Sequence, residues 1–241
     1  MQTSKHHVAD ADLYEQSFMK SLTLFYGDLS QYSIFALLPS YLERNNSSLV
    51  YMVEKIRMRS NRQMGGFYLN ELQTLHQHLA EAQQAGKKIM LFGVTFALLE
   101  MAEQFPMQLT DAIIFETGGM KGRRRELTRM ELHEQLCKGF GVNKIHSEYG
   151  MTELLSQAWS AGDGIFRCPP WMQIRIADTN DPLSYMPQGR SGGINCIDLA
   201  NVHSCSFIAT QDLGRLFPDG SFEVLGRFDN SDIRGCSLLA P

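Results

Sequence analysis

Short apolar runs alternate with amphipathic stretches through roughly the first 160 residues, and this alternation restricts the fold more than any other feature. SIFALLP (33–39), KKIMLFG (87–93), DAIIFETGG (111–119) and NKIHSEYG (143–150) read as short buried strands, with FYL (67–69) as a further one. Between them lie stretches of helical periodicity. Asp10 to Tyr26 places Leu13, Phe18, Leu22 and Phe25 at roughly helical spacing, with Gly27-Asp28 as its stop. LVYMVEKIRM follows Ser47-Ser48, and ELQTLHQHLAEAQQAG runs from an expected cap at Asn70 to Gly86. TFALLEMAEQF and RELTRMELHEQLCKGFG complete the set. Such an order predicts an α/β fold, a mostly parallel sheet covered by helices. Gly93, Gly118-Gly119 and Gly150 end strands. In open α/β sheets that edge is where ligands sit.

After about Ser160 the pattern changes. MQIRIAD, GGINCIDL, SFIAT and SFEVLG are short strands separated by Pro, Gly and Asp turns, and helical spacing is lost. The reading is an α/β subdomain over residues 1–160 and a small antiparallel, β-rich subdomain, a partly open barrel, over 161–241. A hydrophobic share of 44% and a charged share of 20% are those of a globular chain. The net charge of −4 argues against general electrostatic binding to nucleic acid. The basic run KGRRRELTR (121–129) reads as a solvated helix start. No apolar run is long enough for a membrane span, and the first residues carry no signal-like apolar core. Five cysteines without CxxC spacing read as cytoplasmic thiols.

YGMTE, Tyr149 to Glu153, joins a ring, a glycine, a hydroxyl and a carboxylate in five residues. A nucleotide site needs these groups: a surface against a base, a close backbone approach, a hydroxyl for a phosphate oxygen, and a hard oxygen for Mg2+. The same residues also suit a glycine turn into a helix capped by Thr152. A second dense stretch, Ile208 to Gly235, holds Asp212, Arg215, Arg227 and Asp229 around a PDG hairpin turn at 218–220.

YGMTE, then QDLGR with Asp212 lying 59 residues beyond Glu153, then DG and LGRFD, resembles the motif series of the adenylate-forming enzymes. Those enzymes include acyl- and aryl-CoA ligases, adenylation domains and luciferases. LLPSYLER (37–44), SSLVYM (47–52) and DNSDIRGCSLL (229–239) resemble the LuxE-type acyl-protein synthetases of that superfamily. The resemblance implies ATP and Mg2+ as cofactors and a fatty acid as substrate. It implies that Glu153 coordinates Mg2+ and Thr152 meets the α-phosphate. Tyr149 would lie along the adenine, with Gly150 between ring and hydroxyl, and Gly118-Gly119 would bring backbone to the same base. Asp212 would accept from the ribose hydroxyls, Arg227 would hold the ribose or phosphate side, and Asp229 would mark the hinge.

Two departures accompany the resemblance. A Ser/Thr/Gly-rich phosphate loop is missing, and TSK (3–5) is similar to its tail, so the chain is expected to be truncated at its N-terminus or else a degenerate relative. A large C-terminal lid is not expected, since the sequence ends 12 residues after Asp229. In the LuxE-type branch a cysteine near the C-terminus accepts the acyl group. Cys236, beside Arg234, is the expected counterpart, with a partner protein as alternative acceptor or donor.

Overall fold

The computed structural model describes residues 5–39, 47–60, 64–118, 127–181 and 183–228. Its strands join into one eleven-stranded sheet in the order β2-β1-β3-β4-β5-β6-β7-β11-β10-β9-β8. The first five strands in chain order are β1 (Tyr32–Leu37), β2 (Gly65–Tyr68), β3 (Lys88–Val94), β4 (Ala112–Thr117) and β5 (His146–Tyr149), all parallel. Next come β6 (Ala158–Ser160), β7 (Ile165–Arg167), β8 (Met172–Ala177), β9 (Ser191–Asp198), β10 (Phe207–Leu216) and β11 (Phe222–Arg227), paired antiparallel. The expected order of a parallel part and then an antiparallel part holds. The antiparallel strands continue the same ladder through β5, β6, β7 and β11, and the sheet stays open.

The helices form where periodicity and caps coincide. Helix α1 (Ala11–Tyr26) starts where the Asp10 carboxylate accepts from the Leu13 amide and stops at Gly27. Helix α2 (Ser48–Arg59) is capped by Ser47. Helix α3 (Leu72–Gln84) departs from expectation, because its N-cap is Glu71 rather than Asn70. The Glu71 carboxylate folds back to accept from the Leu69 and Asn70 amides, satisfying the entering loop instead of the helix. Helix α4 is Thr95–Gln104. Helix α5 (Arg129–Phe140) begins at Thr128, which makes a reciprocal capping box with Glu131, and ends at the left-handed Gly141.

Side-chain alternation separates the helices into two layers. On β4, Phe115 meets Tyr26 of α1, whereas the next residue, Glu116, meets Thr95 of α4 and His133 of α5. The same parity holds on β5, where His146 reaches Tyr26 and Ser147 reaches Glu116. One large core fills the parallel half. A second core, built on Tyr149, Phe166, Ile174, Ile194 and Phe222, fills the antiparallel half.

Both helix layers also grip the antiparallel half. Arg129 Nη2 donates to the Val224 carbonyl at 3.2 Å from the α5 side. On the α1 side, Ser17 Oγ lies 3.0 Å from Ser156 Oγ and accepts from Trp171 Nε1 at 3.0 Å. Trp159 Nε1 donates to Ser21 Oγ at 2.8 Å. Among the described residues, no helix is long and apolar enough to cross a membrane.

Candidate functional site

Strand β5 delivers YGMTE to the carboxyl edge of the parallel strands, beside the end of β4. Tyr149 is its last residue. The next residues form a turn closed by the Leu154 amide on the Met151 carbonyl at 3.1 Å, and the chain returns as β6. The helix that Thr152 might have capped is replaced by this turn. Thr152 is exposed and Glu153 half-buried, so a hydroxyl and a carboxylate are presented at the edge.

Tyr149 ties this edge to the second motif. Its hydroxyl donates to Asp212 Oδ2 at 2.9 Å. Its ring is 8% exposed and makes edge contacts with Phe166 and Phe222, so the hydroxyl is aimed by packing. Arg227 stands opposite Asp212 in the β10–β11 ladder, with Nε 3.4 Å from Asp212 Oδ1. That Nε is buried and lacks a hydrogen-bond partner, while Nη2 donates to Gln211 Oε1 at 3.2 Å. Burial raises the Asp212 pKa, against the Tyr149 hydroxyl and the Arg227 charge, which lower it. Burial, then the negative charges nearby, raise the Tyr149 pKa strongly.

Two glycines of the motifs are required by close approach. A Cβ on Gly150 would collide with Glu148 Oε1. A Cβ on Gly214 would lie 2.6 Å from the Glu223 carbonyl and 2.6 Å from the Ile194 side chain, where β10 shifts register against β11. Gly118, exposed at the end of β4, has φ +79° and so bends the chain in the way expected of that turn. Of the remaining expected site residues, Gly119, Asp229 and Cys236 lie outside the described residues, as does much of LLPSYLER.

Sequence reasoning missed a layer beneath this edge. Glu148 turns to the α1 face, accepts from Thr117 Oγ1 at 3.0 Å, and has its pKa pushed up to about 7, first by burial and then by neighbouring Glu116. Glu116 faces the other way. It accepts from Thr95 Oγ1 at 2.5 Å and lies 4.0 Å from His133 Nε2; these partners overcome burial and hold its carboxyl below the usual range. Nearby, burial holds the His146 imidazole neutral, with a pKa lowered to about 4. The period-2 pattern of β4 and β5 carries the signal for both acids, since an acid on a strand buried on both faces must find partners.

Mg2+–ATP fits this edge. Mg2+ needs few protein oxygens when phosphates supply the rest, and Glu153 offers one. No group of three or more His, Cys, Asp or Glu able to hold a metal by itself occurs among the described residues. Arg227 Nε is a buried cationic nitrogen beside an acid and without a hydrogen-bond partner.

No protein-family model matches the sequence, and no curated protein matches it. Solved structures do share the fold. The ATP-bound RpMatB-BxBclM chimera B1 superposes with a TM-score of 0.67 at 16% identity, over 93% of this chain and 45% of that one. O-succinylbenzoate Coenzyme A Synthetase (MenE) from Bacillus subtilis, in complex with AMP, gives 0.58 at 18% identity, over 89% of this chain and 45% of that one. The luciferase-like enzyme from the nonluminescent Zophobas morio mealworm gives 0.62 at 14% identity, over 95% of this chain and 60% of that one. The fold is therefore that of these structures, and the chain spans about half their length.

Proposed function

We propose that this chain is the nucleotide-holding part of an ATP-dependent ligase that activates a fatty acid as its acyl-adenylate and passes the acyl group to a thiol. One observation carries the reading: Tyr149, Asp212 and Arg227, picked out of two separate stretches by their motif resemblance, meet at the carboxyl edge of one sheet. The shared fold supports adenylation in general. The acyl-protein synthetase type rests on the sequence resemblance of 37–44, 47–52 and 229–239.

Each residue then has a task its chemistry suits. Asp212 accepts from the paired ribose hydroxyls, for which a carboxylate is the natural two-point acceptor. Tyr149 bounds the base side and aims Asp212 through its hydroxyl. Arg227 holds the ribose or phosphate side. Backbone at Gly118-Gly119 and Gly150 approaches the base without a Cβ in the way. Thr152 donates toward the α-phosphate. Glu153 holds Mg2+, whose charge, when bound, neutralises the phosphates. The substrate carboxylate attacks the α-phosphorus and pyrophosphate leaves. A thiolate then attacks the acyl carbonyl and AMP leaves. Cys236 is the proposed acceptor, with coenzyme A or a partner protein's thiol as alternatives. The free state of Cys137, Cys168, Cys196 and Cys205 fits a reducing compartment, and we place the protein in the cytoplasm.

Acid-dependent exchange of labelled pyrophosphate into ATP tests the reading. Exchange with long-chain acids, reduced at least about tenfold in Glu153→Gln, is expected. No exchange with any carboxylic acid overturns it. Turnover that needs coenzyme A and survives Cys236→Ala moves the acceptor from the protein's own thiol to the coenzyme.

A further inference from the structure

The turn that presents Glu153 has too few internal hydrogen bonds to hold itself. Apart from the bond from Leu154 to Met151, the Glu153 carbonyl and the Leu155 and Ser156 amides find partners on another segment. Asp198, the last residue of β9, is fully buried. Its Oδ2 accepts from the Leu155 amide at 2.8 Å and the Ser156 amide at 2.9 Å. Its Oδ1 accepts from Ser156 Oγ at 2.6 Å and the Ala200 amide at 3.1 Å. Three residues on, Asn201 is also fully buried, and its Nδ2 donates to the Glu153 carbonyl at 2.7 Å. The carbonyl held is that of Glu153, and the amides held belong to the two residues after Leu154. Glu153 is thus pinned on its C-terminal side by the end of β9 and the short 3-10 helix after it (Leu199–Asn201), as the motif's first residue, Tyr149, is pinned by Asp212 of β10.

We propose that Asp198 and Asn201 are positioning residues that set the affinity of the site for Mg2+–nucleotide by fixing the backbone that carries Glu153. The proposal rests on the reading of Glu153 as the Mg2+ ligand. Asp198 ends β9 and Asp212 lies on β10, its antiparallel neighbour, so one strand pair reaches both ends of the stretch. Asp198 makes hydrogen bonds to no cationic group among the described residues. Its work is to collect backbone amides and one hydroxyl, which fixes direction as well as energy. Both side chains are fully buried, so both act through the backbone that carries Glu153.

The test compares two ligands in Asn201→Ala and Ser156→Ala, the substitutions in this cluster least expected to unfold the protein. AMP meets the Tyr149–Asp212–Arg227 side. Mg2+–ATP needs Glu153 as well. In both variants binding of Mg2+–ATP by calorimetry is expected to weaken about tenfold, as loss of an outer support of a metal ligand does, with AMP binding changed less than about twofold. Equal weakening of both ligands, or of neither, overturns the proposal. Amide hydrogen exchange at Leu155 and Ser156, measured in the same variants without ligand, separates the two readings. Slow exchange in the parent and faster exchange in the variants is expected. If the parent binds neither ligand, the functional reading falls, and unchanged exchange in the variants then removes the clamp as well.

Discussion

Asp198 and Asp212 lie on neighbouring strands of one antiparallel pair, Asp212 reaching Tyr149 and Asp198 the residues just after the motif, yet they are built oppositely. Asp198 is sealed, with four donors on two oxygens and no exposure. Asp212 has one hydroxyl on one oxygen and a guanidinium 3.4 Å from the other, with 14% of its side chain exposed. Full satisfaction leaves nothing to offer a ligand. Partial satisfaction beside an orphaned Arg227 Nε leaves capacity at an edge. The difference separates a sealed support from the proposed site within one pair of strands.

The sealed side carries the larger stability consequence. Asp198→Ala removes the acceptor of three backbone amides and a hydroxyl, and is expected to cost on the order of 3–5 kcal/mol in urea unfolding. A loss below about 1 kcal/mol would show that water enters and that the two aspartates are alike.

Glu148 gives the next effect, and its sign follows from linkage. Its folded pKa, about 7, lies above the ordinary carboxyl value of 4.5, so folding binds its proton. Its stabilising contribution is complete below pH about 4.5 and is lost as the pH rises to about 7, by no more than about 3 kcal/mol. Glu148→Gln should flatten the stability profile across that window while keeping an acceptor for Thr117. An unchanged profile would assign the fall to other groups.

Gly150→Ala is smaller again. The new Cβ meets the far end of the Glu148 side chain, which is free to swing at the expense of its bond to Thr117. A cost of about 1 kcal/mol is expected, and it should shrink in the Glu148→Ala background. Additive costs would mean that the glycine answers to Gln157, whose Cγ lies 3.4 Å from the same Cβ.

The parallel half was legible because strand and helix periods switch cleanly and caps sit at the switches, as at Asp10, Ser47 and Gly141. Legible too was the meeting of Tyr149 with Asp212 and Arg227, through residue types in an ordered series. The supports were not read. Asn70 passed for a cap because nothing local reveals that Glu71 folds back on the loop. Thr152 fitted a helix start as well as a turn, since the choice depends on Asp198 and Asn201, more than 40 residues away. A signal for Asp198 existed: Ile194, Cys196 and Asp198 share the buried parity of β9. An acid on that parity requires several donors, but the sequence does not say which.

Asp212→Asn is the mildest change to the fold and the sharpest test of the contrast. An amide oxygen still accepts from Tyr149, and the burial cost that raises the Asp212 pKa disappears with the charge. The weakened pairing with Arg227 offsets that gain, so stability should move by less than about 1 kcal/mol in either direction. Nucleotide binding should respond far more. A neutral amide in place of the carboxylate loses a charge-assisted acceptor for one ribose hydroxyl and turns an N–H toward the other, and AMP affinity is expected to fall about tenfold or more. Deoxy-AMP lacking one of the two hydroxyls should be penalised less by the substitution than AMP is. An Asp212→Asn variant that loses stability as Asp198→Ala does, or binds AMP as the parent does, would make Asp212 a second structural aspartate and remove the contrast between the two ends of the motif.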